Sequence, residues 1–459
     1  MLKVAEIIKA TGGKLVQGVA SLKVTGVSTD TRTVGKGDLF IAIRGERFDG
    51  HDYAVQAVAG GAVALLVSRG DAGYPPAVTV IRVDDTLKAL GLLAAFYRLK
   101  FKIPVIAITG SAGKTTTKEF IAAVLGKKFR VLFNKGTLNN HIGVPMTLLQ
   151  LKKTHQAAVI EAGTNHFGEI SWLGGIIRPT IAVFTNIGQS HLAGLESPEG
   201  VFKEKVTLLD HLASKGTVIM NNDDTRLRAI PKMKPVRHVV TFGIDQKADI
   251  KARAVRADGK GLVVELEGGK IFRLPAPVWG NVSNALAAVA CGLLLKVPFK
   301  KIAAAIEQVE APKGRQCFYS VMGVTVVDDT YNANPVSYYN AIKTLTLVRS
   351  GARGRTFLVA ADMLELGDQS EALHADVGEA VARAGIDHLL TIGRWAGIAG
   401  EKAKELSPAV WTKHYLRQED IFVDLGQMLK TGDVLLVKGS RGMRMDQLVE
   451  QLLVLNKMG

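Results

Sequence analysis

The chain has 459 residues, too many for the single hydrophobic core that stops growing at roughly 250–300 residues, so several domains are expected. Its 47% hydrophobic and 22% charged residues exclude global disorder and a coiled coil. The net charge of +16 points to anionic partners, whether nucleic acid, anionic lipid or phosphorylated small molecules.

In chain order, residues 24–28, 39–43 and 64–67 read as strands, and 52–60 and 86–100 as helices. The apolar strand PVIAIT (104–109) leads into a Gly-rich turn and a Thr-rich helix start. Strand-like runs recur at 157–161, 181–185, 218–221 and 239–242 with helical patterns between several of them, which argues for βαβ units and a parallel sheet. Residues 250–256, 262–267 and 270–274, joined by Asp-Gly and Gly-Gly turns, predict short antiparallel strands, and 281–295 a long helix. The stretch APKG (311–314) reads as a linker. Beyond it, strands at 324–328, 356–361, 388–392 and 433–437 alternate with helices at 336–348 and 371–383 and two more, a Rossmann-like pattern without the G-x-G-x-x-G fingerprint.

The predicted fold class is therefore α/β in three domains, 1–103, 104–312 and 313–459, with net charges of +5, +11 and zero. No basic tail, helix-turn-helix, RNP or zinc pattern stands in the sequence, so the excess charge favours phosphorylated small substrates over nucleic acid. Two cysteines, Cys291 and Cys317, make no disulfide framework. The N-terminal stretch is too polar for a signal peptide, and no run of about 18 apolar residues occurs. A cytoplasmic protein without a membrane span is expected.

The strongest chemical signal is TGSAGKTTTKE (109–119), directly after an apolar strand. A strand, a Gly turn and a helix start aim backbone N–H groups at one point, formed here by Thr109, Gly110, Ser111, Ala112, Gly113, Lys114, Thr115 and Thr116. Lys114 supplies a mobile cation for phosphates and the Thr115 hydroxyl suits Mg²⁺. Ile108 stands where the full G-x-x-x-x-G-K-[ST] pattern has its first glycine. Glu161 closes the strand AAVIEAG, where open α/β sheets bind ligands, and is a hard oxygen donor for Mg²⁺. His191 follows the strand IAVFTNIG. By residue type alone, a solvated Glu and a hydrogen-bonded surface His remain open. No Asp/Glu-rich Walker-B strand or arginine-finger loop is evident, which favours a small-molecule kinase or ligase over a motor or switch.

Together with TLNNHIGVP (137–145), EAGTNHFGEI (161–170) and TNIGQSHL (185–192), this segment resembles the Mur ligases, ATP-dependent amide-forming enzymes of peptidoglycan precursor synthesis. The resemblance covers nearly the whole chain. VSTDTR (27–32) and LFIAIRGERFDGHDYAVQA (39–57) look like the family's uridine-nucleotide domain. VVDDTYNANP (326–335), AADMLELG (360–367) and VKGSRGMRM (437–445) are similar to the branch that adds D-Ala-D-Ala to UDP-N-acetylmuramoyl-tripeptide, and the DNP[RK]-type sequence of a sibling branch is absent.

The resemblance implies a uridine-nucleotide domain, a central P-loop ATPase domain with a parallel sheet and a Rossmann-like ligase domain, working as a monomer with ATP and two Mg²⁺ ions. Lys114 would clamp phosphates, Thr115 and Glu161 hold the first Mg²⁺, and His191 the second. Lys205 aligns with a lysine often carbamylated in the family, although an ordinary surface lysine is the alternative. Asn284 matches a residue near adenine and also suits a helix N-cap. Gly280 replaces the family's His upstream of it, so Trp279 is a candidate for stacking. Arg315 matches an arginine that reaches ATP from the linker, and Asp329, Tyr331, Asn332 and Asn334 would face the nucleotide, with a turn before a helix as the structural alternative. Ser28, Thr31, Arg32, Arg44, Arg47, Asp49 and His51 would bind the uridine nucleotide, or form polar surface turns. Thr137, Asn139 and Asn140 suit the amides of the muramoyl peptide.

Overall fold

Val105–Thr109, Ala157–Glu161 and Ile181–Phe184 are apolar runs buried at every position, as parallel strands covered on both faces must be. The computed structural model describes residues 2–69, 73–234, 236, 238–349 and 354–458, and places these strands side by side near one end of a nine-stranded sheet. Val131–Phe133, Ala157–Glu161, Val105–Thr109, Ile181–Phe184, Thr217–Asn221, His238–Gly243 and Ile250–Ala257 lie side by side in that order, all parallel. The short strands read near 250–274 extend the same sheet as an antiparallel edge, Ile250–Ala257 with Leu262–Leu266 and that with Ile271–Leu274.

The N-terminal sheet orders Lys14–Gln17, Thr79–Arg82, Ala64–Val67, Leu39–Ile41 and Val27–Ser28, parallel except for the first pair. The strand predicted over 24–28 is two strands. Lys23–Val24 pairs with Leu2–Lys3, and Val27–Ser28 joins the main sheet. Between them Gly26 packs so tightly that a Cβ would lie 2.4 Å from Asp38 Oδ1. The C-terminal sheet orders Cys317–Val321, Val324–Asp329, Val434–Lys438, Thr356–Ala361, His388–Ile392 and Trp411–Tyr415, parallel except for the first hairpin. The chain is an α/β protein of three domains.

The cores are less separate than the length implies. One buried cluster runs from Leu2 to Leu436 and crosses all three sheets, with smaller clusters beside it. Helix Thr86–Arg98, capped by Asp85, is a main tie. Tyr97 Oη donates to Leu151 O at 2.8 Å, and the buried Arg98 guanidinium donates to Ile177 O and Arg178 O at 2.8 and 3.0 Å. A Cβ on Gly91 of this helix would lie 2.6 Å from the Trp172 ring. Helix Pro335–Arg349 ties the C-terminal sheet to the centre, with Val336 against Gly188 and Thr344 accepting from Trp279 N–H at 3.1 Å. Among the described residues no helix is long and apolar enough to cross a membrane.

Candidate active site

Strand Val105–Thr109 ends in a loop turned by Gly110 (φ 153°) and Gly113 (φ 79°), and helix Lys114–Gly126 follows. Neither glycine has room for a side chain: a Cβ would lie 1.9 Å from Thr185 Oγ1 at Gly110 and 2.4 Å from Asn284 Oδ1 at Gly113. The adjacent strand end locks the loop. Ser111 N–H donates to Asn186 O and Ala112 N–H to Asn186 Oδ1, both at 2.9 Å. Thr185 Oγ1 and Asn186 Nδ2 donate to Ala112 O at 2.7 and 3.0 Å. Thr117 N–H bonds Gly113 O, which leaves the N–H groups of Lys114, Thr115 and Thr116 in the first turn, at the positive end of the helix. That is an anion site made of backbone.

Lys114 folds back and donates to Gly110 O at 2.7 Å. Burial pushes its pKa down, Glu161 opposes this and Arg315 reinforces it. Glu161 is 1% exposed. Its Oε1 accepts from Asn139 Nδ2 at 2.7 Å, while Oε2 is buried without a partner. Thr115 Oγ1 and Thr109 Oγ1 are also buried and unpartnered. An orphaned buried polar atom costs about 1–3 kcal/mol and calls for a ligand or ion. A hydroxyl and a carboxylate oxygen suit Mg²⁺, which keeps few protein ligands and takes the rest from phosphate and water. Consistent with so sparse a donor set, no group of three or more His, Cys, Asp or Glu among the described residues is placed to hold a metal by itself.

A cavity of about 490 Å³ opens over this loop. The central domain contributes Ser111–Thr116, Thr137, Asn139, Asn140, Glu161, His191 and Asn284 to its lining, and the C-terminal side contributes Arg315, Asp329, Tyr331, Asn332 and Asn334. Thr109 and Gly110 lie outside the lining. Asn284 is one turn inside helix Gly280–Leu294 and not at its cap. There it accepts from Thr117 Oγ1 at 3.1 Å and donates to Asn281 Oδ1 at 3.2 Å. Trp279 stands at the cap position, and Lys343 Nζ lies 3.3 Å from its ring centroid, so one ring face is already taken. Asn140 Oδ1 accepts from Ile142 N–H and Gly143 N–H at 3.2 and 2.9 Å, in the turn that leads into helix Gly143–Leu148.

On the C-terminal side, Arg315 stacks on the Tyr331 ring at 4.1 Å. Asp329 is buried and pairs with Lys438 Nζ at 2.8 Å, and Lys438 also donates to Asn332 O at 3.1 Å. Burial raises the Asp329 pKa, and Lys438, Arg315 and Gln316 pull it back. Asn334 starts helix Pro335–Arg349 by accepting from Ser337 N–H at 2.9 Å, and its Nδ2 reaches Ser111 O at 3.4 Å. The structural reading of Asn334 and its contact with the phosphate loop therefore hold together.

Lys205, on helix Pro198–Val206, is wholly buried, and its Nζ has no hydrogen-bond partner. Burial holds its pKa well below the usual lysine range, Lys114 reinforces this and Glu204 opposes it. An ordinary surface lysine is therefore excluded. Lys205 stands outside the cavity lining.

None of the seven N-terminal candidates lines the cavity. Ser28 Oγ is used within its own turn, with Asp30 O at 2.9 Å and Thr33 Oγ1 at 3.1 Å. Arg32 is exposed and pairs with Asp30, holding that carboxyl down to about 2. Thr31 is part-exposed, and Arg44 and Arg47 are exposed. His51 is buried. Its Nδ1 meets Asp49 Oδ1 at 2.5 Å and its Nε2 accepts from Ser68 N–H at 2.9 Å, so both ring nitrogens are engaged.

Several residues of the site escape the sequence reading. Asn134 accepts from Glu161 N–H at 2.9 Å and donates to Glu161 O at 3.1 Å. Lys118 is wholly buried and donates to Gly136 O at 2.9 Å, holding the 134–140 loop from beneath. Lys438 and Glu365 reach the site from the C-terminal side. Lys438 and Glu365 stand inside motifs quoted above, but only tertiary contact shows what they touch.

Residues 23–98 match the Mur ligase family catalytic domain, 108–292 the Mur ligase middle domain and 314–441 the Mur ligase glutamate ligase domain. The chain is 37% identical over 442 residues to a UDP-N-acetylmuramoyl-tripeptide–D-alanyl-D-alanine ligase of Escherichia coli, covering 94% of each. It is 35% identical over 432 residues to the Bacillus subtilis ligase of the same name, covering 94% of this chain and 93% of the relative. Among solved structures, MurF from Acinetobacter baumannii superposes with a TM-score of 0.89 at 32% identity over 98% of both chains. MurF from Thermotoga maritima in complex with ADP superposes with a TM-score of 0.82 at 26% identity, over 96% of this chain and 100% of that one. With all three domain matches in order and relatives this similar over almost its whole length, the chain belongs to the Mur ligase family.

Proposed function

We propose that this chain is an ATP-dependent ligase that joins D-alanyl-D-alanine to UDP-N-acetylmuramoyl-tripeptide, with release of ADP and phosphate, in peptidoglycan precursor synthesis. The observation that carries the reading is one cavity in which the phosphate loop, the unpartnered oxygens of Thr115 and Glu161, and the C-terminal residues Arg315 and Asp329 meet. The relatives at 35% and 37% identity, named for that reaction, supply the substrates.

The tripeptide carboxylate attacks the γ-phosphorus of ATP, the bond to ADP breaks, and an acyl phosphate forms. The dipeptide amine then attacks the acyl carbon, loses a proton and expels phosphate. Two anions must meet first, so charge neutralisation dominates the work of the site. Lys114 swings from Gly110 O onto the phosphates, and the first-turn N–H groups hold them. Arg315 lines the same cavity from the C-terminal side. Thr115 and Glu161 would hold one Mg²⁺, and His191 with Lys205 a second. Bound Mg²⁺ supplies Lewis-acid neutralisation of the transferred phosphoryl group. Lys205 suits carbamylation, because burial lowers its pKa and leaves its Nζ without a partner, and such an amine can add CO₂ to become an oxygen ligand.

Ser28, Thr31, Arg32, Arg44, Arg47, Asp49 and His51 would form the uridine-nucleotide end, with His51 and Asp49 shaping the loop that carries Arg44 and Arg47. Thr137 and Asn139 would face the muramoyl peptide, and Asn284, Tyr331, Asn332 and Asn334 the nucleotide. Domain boundaries near 103/104 and 312/313 fit the three sheets. We further assign a monomer working in the cytoplasm, where its nucleotide substrates are found. Phosphate release with UDP-N-acetylmuramoyl-tripeptide, ATP and Mg²⁺ tests the reading. It should require D-Ala-D-Ala, and release with a different amino acid in its place would overturn the assignment.

A further inference from the structure

Glu365 belongs to the C-terminal side of the cavity, between strand Thr356–Ala361 and helix Ser370–Ala384, yet it bonds to the central domain. Its Oε2 meets His191 Nδ1 at 2.6 Å, and its backbone oxygen accepts from Ala193 N–H at 3.0 Å. Both residues sit in the left-handed region, His191 at φ 55° and Glu365 at φ 66°. Non-glycine residues adopt that conformation rarely, and it clusters where side chains are aimed for a purpose. The turn carrying Glu365 is built from below. Met363 N–H donates to His374 Nε2 at 3.0 Å and Leu364 N–H to Ser440 Oγ at 2.8 Å.

A histidine that ligates a cation through one ring nitrogen commonly donates its other N–H to a carboxylate, which fixes the tautomer, the ring orientation and the basicity of the ligating nitrogen. Glu365 stands in that relation to His191. With Nδ1 committed to Glu365, Nε2 is the nitrogen left for a ligand on a residue that lines the cavity. The carboxylate comes from a different domain from the imidazole. We propose that Glu365 is a positioning residue that makes His191 a competent cation ligand only when the C-terminal domain is docked, so that retention of the second cation reports domain closure. The proposal rests on the reading of His191 as a cation ligand given above.

The test is Mn²⁺ binding followed by electron paramagnetic resonance, with AMP-PNP and UDP-N-acetylmuramoyl-tripeptide present and no dipeptide. Wild type should bind two Mn²⁺, one of them showing nitrogen modulation from imidazole. Glu365→Gln should keep the first Mn²⁺ and the AMP-PNP affinity, which shows that the fold is intact. It should bind the second Mn²⁺ on the order of 10–100-fold more weakly, with reduced nitrogen modulation. Glu365→Asp should recover part of the loss. A Glu365→Gln variant with unchanged second-site affinity and modulation overturns the proposal, and a raised KM for D-Ala-D-Ala in that variant would then assign Glu365 to the dipeptide ammonium. Wild type binding a single Mn²⁺, or His191→Ala retaining two, overturns the His191 reading itself and this proposal with it.

Discussion

Asn139 Nδ2 donates to Glu161 Oε1 at 2.7 Å, and the second oxygen of that carboxylate is left buried and unpartnered beside the phosphate loop. The direction of the carboxylate is therefore set by the 134–140 loop, which Lys118 holds through Gly136 O and Asn134 through the backbone of Glu161. Removing the amide with Asn139→Ala should raise the Mg²⁺ concentration for half-maximal phosphate release about 10-fold or more. The KM for ATP at saturating Mg²⁺ should change little. An unaltered Mg²⁺ dependence would show that Glu161 needs no such orientation.

Lys438 is wholly buried and neutralises Asp329 at 2.8 Å. Lys438→Met removes the ammonium paired with that buried carboxylate and should destabilise the protein by about 3–5 kcal/mol in denaturant unfolding. Adding Asp329→Asn removes the orphaned charge and should recover much of the stability, though not the activity. A double variant as unstable as the sum of the two single ones would contradict the pairing.

Lys205 carries the proposed carbamate. The neutral amine adds to CO₂, a nitrogen–carbon bond forms and one proton is released. Protein equilibrated with ¹³C-labelled bicarbonate should show a carbamate carbon resonance, which Lys205→Arg should abolish together with at least about 100-fold of turnover, on the scale of a lost electrostatic stabiliser. A resonance that persists in the variant would place the modification elsewhere.

Asp433 provides an acid-stability test far from the chemistry. Burial by itself raises its pKa, but hydrogen bonds from the Arg355 side chain and N–H and from Lys430 N–H win, and the folded carboxyl sits below its ordinary 3.8. A depressed carboxyl stabilises the fold above its unfolded pKa and loses that contribution as pH falls through the folded value. The loss therefore lies below about pH 3.8. Asp433→Asn should lower stability at pH 7 by about 1.5–3 kcal/mol, the worth of hydrogen bonds to a charged group. It should also flatten the acid limb of the unfolding curve. Parallel acid limbs in the two proteins would contradict the assignment.

The catalytic end of the chain is legible in sequence because its chemistry is local. A strand, two positive-φ glycines, a lysine and a threonine are consecutive, and the loop at 109–116 forms as the spacing predicts. The strands at 157–161, 356–361 and 388–392 are likewise announced by short β-rich apolar runs. What escapes is what depends on meeting across long separations. Asn134 is a plain polar residue until Glu161 packs on it, and Glu365 finds His191 across 174 residues. The shared core also resists a residue-by-residue reading. Helix Thr86–Arg98 is amphipathic like any other, and only Gly91, Tyr97 and Arg98 in contact with the central domain reveal that it joins two units. Asn284 misleads because its residue type suits a cap while the pattern over 281–295 already places it inside a helix, and the helix indeed starts at Gly280.

The central claim is that the tripeptide carboxylate is phosphorylated in this cavity before the dipeptide attacks. UDP-N-acetylmuramoyl-tripeptide labelled with ¹⁸O in its reacting carboxylate, incubated with ATP, Mg²⁺ and D-Ala-D-Ala, tests it by mass spectrometry of the released phosphate. The account predicts one ¹⁸O atom transferred to each phosphate, release that depends on the dipeptide, and loss of about 10³-fold or more in Lys114→Ala, which lacks the cation facing the phosphates. Phosphate without label, or labelled phosphate at an undiminished rate in Lys114→Ala, would contradict it.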